Sequence, residues 1–569
     1  MSKIAISYLL IIFVALPCIS FSQTIMHPAK ENKQSSGMML EAVDPLQKVF
    51  PEVALFPDLK ATADVARGEH ATFQFALRSM LSIEHLTASA IQLNQKYSLI
   101  NHQNVSIGYV DYVRMGKTYP APPPDKLISP TGFFPDPIID TPFIDVNADY
   151  TQPIWVSINV PKNTPSGEYN GQLTVRGRMN DKNMELHVPF SIHVYPVTID
   201  SSSLWVTNWF YFDERKLKLM NKGDSVVPYS DKYWELLKVI AKKMADYDQN
   251  VVLISPLSLA KYSLNGGQYN IDFSHFDKYV EIFRQAGALK RIEGGHIGSR
   301  MGDWNTSFGV TVPIVNTDTT IFETHAISDQ VSQNFYKQFV QALMAHLKEK
   351  GWDKIYMQHI ADEPTDQNYQ SYIDIASFFK KLAPGIPVID AIGTKKLNNI
   401  LNIWVPILDV LDKDYDYFEG RQSKGDEVWT YTCVGPQRNY ANRFIELPLI
   451  KTRILHWINF RYNITGYLHW GFNYWNEHPF DETVQPNMEL PGGDSYIVYP
   501  EYEKLYSSIR LETMRDGIMD YELLKMLSQK HPDKAKEICS QIVYSFDEYN
   551  TDIKDFREKR KMILELLSK

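Results

Sequence analysis

From about residue 40 to 200, hydrophobic and polar positions alternate in short runs. Ile154-Trp155-Val156-Ser157-Ile158-Asn159-Val160 alternates cleanly, and Gly171-Gln172-Leu173-Thr174-Val175 and Phe190-Ser191-Ile192-His193-Val194 follow the same rule. Ala71 to Leu77 mixes alternation with good β-formers. A period of two marks strands with one buried face. Pro and Gly punctuate the runs, and no amphipathic helix of convincing length interrupts the later ones, so the pattern predicts an antiparallel β-sandwich. Pro120-Ala121-Pro122-Pro123-Pro124 reads as a stiff exposed loop. Pro196 and Ser201-Ser202-Ser203 mark a boundary.

After residue 204 the rhythm becomes strand, then helix, repeatedly. Strands are expected near 204–209, 250–254, 288–293, 354–359, 386–391, 407–411, 428–433 and 464–470. Helical stripes lie between most of them. Val331, Phe335, Phe339, Leu343 and Leu347 recur about once per helical turn over 327–349, and Tyr372, Ile375, Phe379 and Leu382 do so over 368–382. Eight βα units over about 300 residues fit a (β/α)₈ barrel better than an open doubly wound sheet. No Gly-rich phosphate fingerprint follows any of the strands, which disfavours a nucleotide site. Residues 502–569 are helical and charged. The expected organisation is therefore an export signal at 1–22, an N-terminal β-sandwich at 23–200, a (β/α)₈ barrel at 201–501 and a C-terminal helical cap at 502–569.

Composition narrows the function classes. A chain of 569 residues exceeds one ordinary core, and 44% hydrophobic with 22% charged residues excludes disorder and coiled coil. A net charge of −9 gives no general reason to hold nucleic acid. Lys3, the apolar run Ile4–Leu16 and small residues at Ser20 and Ser22 read as a cleavable export signal, too short for the roughly 17–25 residues of a membrane span. The expectation is a periplasmic or secreted protein. Lipid anchoring at Cys18 is disfavoured because Pro17 is a poor preceding residue. Only Cys433 and Cys539 remain after cleavage, without a metal-binding spacing, so neither a disulfide framework nor a metal or other cofactor is expected.

Active sites of (β/α)₈ barrels form at the C-terminal strand ends. The fourth expected strand runs into Ile360-Ala361-Asp362-Glu363-Pro364, placing two adjacent carboxylates at that rim. Neighbouring carboxylates raise each other's proton affinity, so one can stay protonated while the other is ionised. Pro364 is expected to keep the backbone extended at Glu363. An acidic pair ahead of a helix also complements the helix dipole; position after strand four brings the catalytic use level with that one, and spacing goes no further. A second constellation follows strand eight, where Trp470 and Trp475 can wall a pyranose and Asn473 and Asp494 can hold hydroxyls. Core packing is the competing use of those rings. Trp209, His296 and Tyr431 stand near other strand ends as further substrate-binding candidates.

These blocks carry a family resemblance. Asp362-Glu363-Pro364, Val428-Trp429-Thr430-Tyr431-Thr432-Cys433-Val434-Gly435-Pro436, the Gly466–Trp475 run, Gly493-Asp494 and Arg515 to Glu522 occur in the order and spacing of glycoside hydrolase family 123, which the chain resembles over about 204–525. Pro153–Gly171 is similar to that family's N-terminal sandwich. The resemblance implies a retaining β-N-acetylgalactosaminidase in which the substrate's 2-acetamido oxygen attacks the anomeric carbon. Glu363 would then be the acid and base, and Asp362 would orient the acetamido N–H. A β-N-acetylglucosaminidase, an endo-acting N-acetylhexosaminidase and a non-catalytic exported glycan-binding protein remain the alternatives.

Overall fold

The computed structural model describes residues 37–54, 59–95, 98–115, 124–315, 320–481 and 490–569. The signal at 1–22, with Cys18, and residues 120–123 of the proline-rich loop lie outside the described residues.

The alternating N-terminal runs form two sheets. One has seven strands in the order Met38–Val43, His70–Ser79, Thr151–Asn159, Val105–Arg114, Phe133–Ile139, Lys504–Ser508, Tyr499–Glu501, all antiparallel. The other is built on Gly167–Met179 paired with Lys182–Thr198 and Ile83–Gln95. Their inner faces share one core, with Phe73, Phe75 and Val156 meeting Leu173, Phe190 and Ile192. The alternation read from sequence is the alternation of this buried face.

The βα region supplies eight parallel strands, labelled here β1 (Trp205–Asn208), β2 (Val251–Leu253), β3 (Arg291–Gly294), β4 (Tyr356–Gln358), β5 (Ile389–Ile392), β6 (Ile403–Pro406), β7 (Glu427–Tyr431) and β8 (Gly466–His469). β1, β8, β7, β6 and β5 pair in that order, as do β2, β3 and β4. A parallel bridge from Gln358 to Val388 joins β4 to the start of β5. Between β1 and β2 the side chain of Asn250 takes over, accepting from the Val206 amide at 2.9 Å and donating to the Leu204 carbonyl at 2.9 Å. Val251, Met357, Ile389, Val405, Trp429 and Leu468 from these strands share a core. Gly466 is required there, because a Cβ would lie 2.1 Å from the Trp429 ring.

The expected helices form as Gln330–Lys350 and Tyr369–Leu382, and their stripes are buried except Val331, near an exposed helix start, and Leu382, half-buried at a helix end. The sixth strand lies earlier than expected. Residues 407–411 belong to a bridge residue and the helix Leu408–Lys413, because Pro406 ends the strand and Leu408 and Leu411 bury themselves at helical spacing. Further elements were not legible, among them a hairpin of Lys261–Asn265 and Gln268–Asp272. An antiparallel sheet of Gly298–Arg300, Phe308–Val315 and Thr320–His325 is inserted after β3. Residues 499–508, at the end of the expected barrel and the start of the expected helical cap, are strands that extend the first sheet.

Beyond them the helix Ile509–Lys530 packs on Leu449–Arg461. Buried ion pairs tie it to the N-terminal sheets. Arg510 grips Asp136 with two hydrogen bonds of 2.8 Å. Asp520 accepts from Arg453 at 2.7 and 3.0 Å, from Arg560 at 2.7 Å and from the Trp457 indole at 3.0 Å. Arg560 also bonds Glu69. Cys433 and Cys539 are both free thiols. Among the described residues no helix is long and apolar enough to cross a membrane.

Candidate active site

The chemistry-bearing residues cluster at the C-terminal ends of the parallel strands. Asp362 and Glu363 follow β4, and both are half-buried. Glu363 has φ of +45°, in the left-handed region, where extended backbone was expected from Pro364. A non-glycine residue there costs of order 1–3 kcal/mol, and such strain collects where a side chain must be aimed. Two contacts hold the turn. Arg300 Nη2 donates to the Glu363 carbonyl at 2.9 Å, and the Gly393 amide donates to the Pro364 carbonyl at 3.0 Å. The carboxylate receives the Tyr431 hydroxyl from the end of β7. Burial, and then the charge of Asp362, push the Glu363 carboxyl above the usual range, against the Tyr431 hydrogen bond and the charges of Arg300 and His296.

Behind the pair lies a buried polar chain. Thr207 of β1 donates to Glu293 of β3 at 2.6 Å. His359, directly after β4, places Nε2 2.9 Å from Glu293 and Nδ1 2.7 Å from Asp390 of β5. Asp390 also accepts from the Ile360 amide at 2.8 Å and from Tyr372 at 2.5 Å. Burial alone would discharge His359, but Asp390 and Glu293 outweigh it and raise the imidazole to about 10. His296 continues the chain, with Nε2 3.4 Å from Asp390 and 4.0 Å from Asp362. His296, His359 and Asp390 lie close enough together to ligate a metal. Both His359 nitrogens face carboxylates and act as donors, however, so that imidazole has no lone pair to give.

The aromatic candidates divide. Trp209, following β1, meets His296 and His359 edge-on, each at 5.6 Å between centroids. Trp470, following β8, packs against Tyr474 at 5.3 Å and Tyr211 at 6.4 Å. Asn473 is buried and clamps this wall, accepting from the Tyr211 amide at 2.7 Å and donating to the Tyr211 carbonyl at 2.8 Å. Trp475 lies in the main core at 1% exposure and donates its indole N–H to the Val498 carbonyl at 2.7 Å. Asp494 is wholly buried beside His469, whose Nε2 is 3.5 Å away. Burial raises its carboxyl to about 7, against the opposing influence of Arg443 and Trp470. Its position depends on Gly493, which has φ of +86° and would set a Cβ 2.7 Å from Arg510.

The structure thus gathers Asp362, Glu363, His296, Trp209 and Tyr431 around one site, with Trp470 in the adjoining aromatic wall. Arg300, Glu293, His359 and Asp390 were missed. The only signal for three of them was a polar residue inside or against an otherwise apolar strand, and Arg300 stands in the unforeseen insertion.

The strand-end carboxylate pair backed by a buried polar chain defines a hydrolase-type site, and comparison with known proteins gives its class. The model of the glycoside hydrolase 123 catalytic domain matches residues 218–527, and that of the glycoside hydrolase 123 N-terminal domain matches 51–177. The chain belongs to glycoside hydrolase family 123 and is a glycosidase by that membership. Among solved structures it is similar to a family 123 glycoside hydrolase from Clostridium perfringens, described for glycolipid glycan hydrolysis. The TM-score is 0.72 at 17% identity, over 94% of this chain and 97% of that one, a likeness of fold. An endo-β-1,4-mannanase from Thermotoga petrophila matches with a TM-score of 0.32 at 10% identity, over 57% and 77% of the two chains, too distant to bear on the site. No curated protein matches the chain.

Proposed function

We propose that this protein is an exported retaining glycosidase that releases β-linked N-acetylgalactosamine from glycans or glycoconjugates by substrate-assisted catalysis. The observation that carries the reading is the adjacent pair at the end of β4, with Glu363 biased toward its protonated form beside Asp362. The eight parallel strands, the Gln358–Val388 bridge and the Asn250 clamp support a closed (β/α)₈ barrel, which would set the pair at its catalytic face. The two N-terminal sheets with their common core support the sandwich.

In this mechanism Glu363 protonates the departing glycosidic oxygen while the acetamido oxygen closes on the anomeric carbon, breaking the C–O bond and forming an oxazolinium ring. Asp362 accepts from the acetamido N–H and stabilises its growing positive charge. Glu363, now ionised, takes a proton from water as that water opens the ring. The arrangement sets Glu363, whose proton affinity is raised by burial and by the neighbouring charge, directly beside Asp362. Trp470, half-buried, gives a ring face for the sugar, while Trp209 is buried against His296 and His359. The glycolipid substrate class of the similar Clostridium protein is compatible with this site.

The test is turnover of aryl β-N-acetylgalactosaminide, its gluco epimer and a plain β-galactoside, with the first-formed anomer read by NMR. The expected result is hydrolysis of the galacto-configured acetamido sugar with retention, and none of the 2-hydroxy sugar. Preference for the gluco epimer would reassign the sugar, and an inverted product or normal galactoside cleavage would exclude the acetamido mechanism.

A further inference from the structure

We infer that a cavity between the first sheet and the N-terminal ends of the parallel strands is a second ligand site, which holds a neutral pyranose sugar at the opposite end of the strands from the carboxylate pair.

The cavity has a volume of about 540 Å³, within the range of small-molecule sites. Its floor is the face of the first sheet to which Trp155 and Ser157 point, two residues apart on the strand Thr151–Asn159. One wall is the end of the helix Asp231–Asp246 with Tyr247 and Asp248, which lead into β2. The other is Glu512 and Arg515 of the helix Ile509–Lys530.

Trp155 Nε1, Ser157 Oγ and Arg515 Nε are buried and have no hydrogen-bond partner among the described residues. Their residues are only 2%, 7% and 2% exposed. The rest of the Arg515 fork is engaged. Nη1 pairs with Glu512 at 2.8 Å, and Nη2 donates to Asp516 at 3.0 Å and to Thr72 at 3.3 Å. Thr72 is the partner of Ser157 in the sheet, which brings the guanidinium to the hydroxyl's neighbourhood. Buried donors without acceptors are costly. Three orphaned polar atoms on one cavity mark a place where ligand oxygens complete the bonding.

The lining also selects the ligand. The indole and guanidinium N–H groups can only donate, so the ligand must bring acceptors, and a simple cation does not. The charges are already matched in pairs, Glu512 with Arg515, Asp246 with Lys242 at 2.7 Å and Asp140 with Lys504 at 2.6 Å. Lys243 and Asp248 add one charge of each sign. His70 adds none, because burial and the Arg515 charge hold its imidazole well below the usual range. An anion would therefore face carboxylates without a surplus of cations. Hydroxyl groups both accept and donate, and a pyranose fills more of this volume than a small polyol.

The test follows the indole N–H resonance of Trp155 by NMR in the full chain, identified as the peak missing from Trp155→Phe, while galactose is added. The expected result is a saturable shift with a Kd on the order of 1 mM. Ser157→Ala should weaken it roughly tenfold, through the loss of one buried hydrogen bond. Ser106 is exposed and lies opposite Ser157 on the neighbouring strand. Ser106→Trp should therefore fill the cavity and abolish the shift, with an unchanged thermal midpoint. Should Ser106→Trp fold poorly, Ser157→Ala decides alone. A resonance that galactose does not move, an affinity unaltered by Ser157→Ala, or an equal response to acetate or glycerol would overturn the site.

Discussion

Two regions of this molecule bury carboxylates, and they treat them in opposite ways. Around the helix Ile509–Lys530 two buried aspartates are saturated by guanidinium groups. Asp520 holds Arg453 and Arg560, and Asp136 holds Arg510. Burial alone would raise Asp520, yet the arginines carry its carboxyl down to about 2. At the strand ends the acids outnumber the cations. Glu363 is raised, and Asp494 is raised to about 7, because burial exceeds the help they receive. Where cations match acids the result is a fixed joint. Where they fall short, protons become movable, which general acid catalysis needs.

The contrast can be broken experimentally. Glu363→Gln should cut hydrolysis of glycans with poor leaving groups by about 10⁴-fold, equivalent to ~5.5 kcal/mol, while the denaturation midpoint stays put. Retained glycan hydrolysis would show the acid lies elsewhere. Asp520→Asn should do the reverse, costing about 3–5 kcal/mol of stability by stranding two buried arginines, with unchanged kcat for the folded fraction. Its unfolded-state value is 3.8 and its folded value about 2. Its contribution is therefore complete above pH 3.8 and disappears as pH falls through about 2. Denaturant titration across that range would detect it.

Trp475→Ala should likewise act on stability, by about 3–5 kcal/mol, because the ring fills the core. A KM effect without destabilisation would return Trp475 to the sugar wall. The smallest effect is expected from Tyr431→Phe. The Tyr431 hydroxyl favours the ionised form of Glu363, so removing it raises the carboxyl further. The acid works protonated, so the alkaline limb of kcat/KM should move to higher pH. A limb that stayed or moved lower would mean that another group sets it.

What sequence made legible follows the same division. Helix stripes such as Phe335, Phe339, Leu343 and Leu347 repeat a physical period and are buried as read. Asp362 and Glu363 stood out because βα rhythm numbered their strand. Glu293, His359 and Asp390 did not, since single polar residues in apolar strands carry no period. The left-handed Glu363 ran against the local preference before proline and depends on Arg300, which is 63 residues away in sequence. An aromatic run cannot announce which ring turns inward, and so Trp475 and Trp470 looked alike.

The strand pair at Tyr499–Ser508 carries a consequence for biosynthesis. The first sheet begins at Met38, but its strand Phe133–Ile139 stays an open edge until Lys504–Ser508 arrives. Asp136 waits 374 residues for Arg510. At ribosomal speeds of about 5–20 residues per second that is tens of seconds with a bare hydrogen-bonding edge and an unmatched acid. The growing chain therefore carries that edge bare, and the first sheet is complete only once the catalytic region has been made.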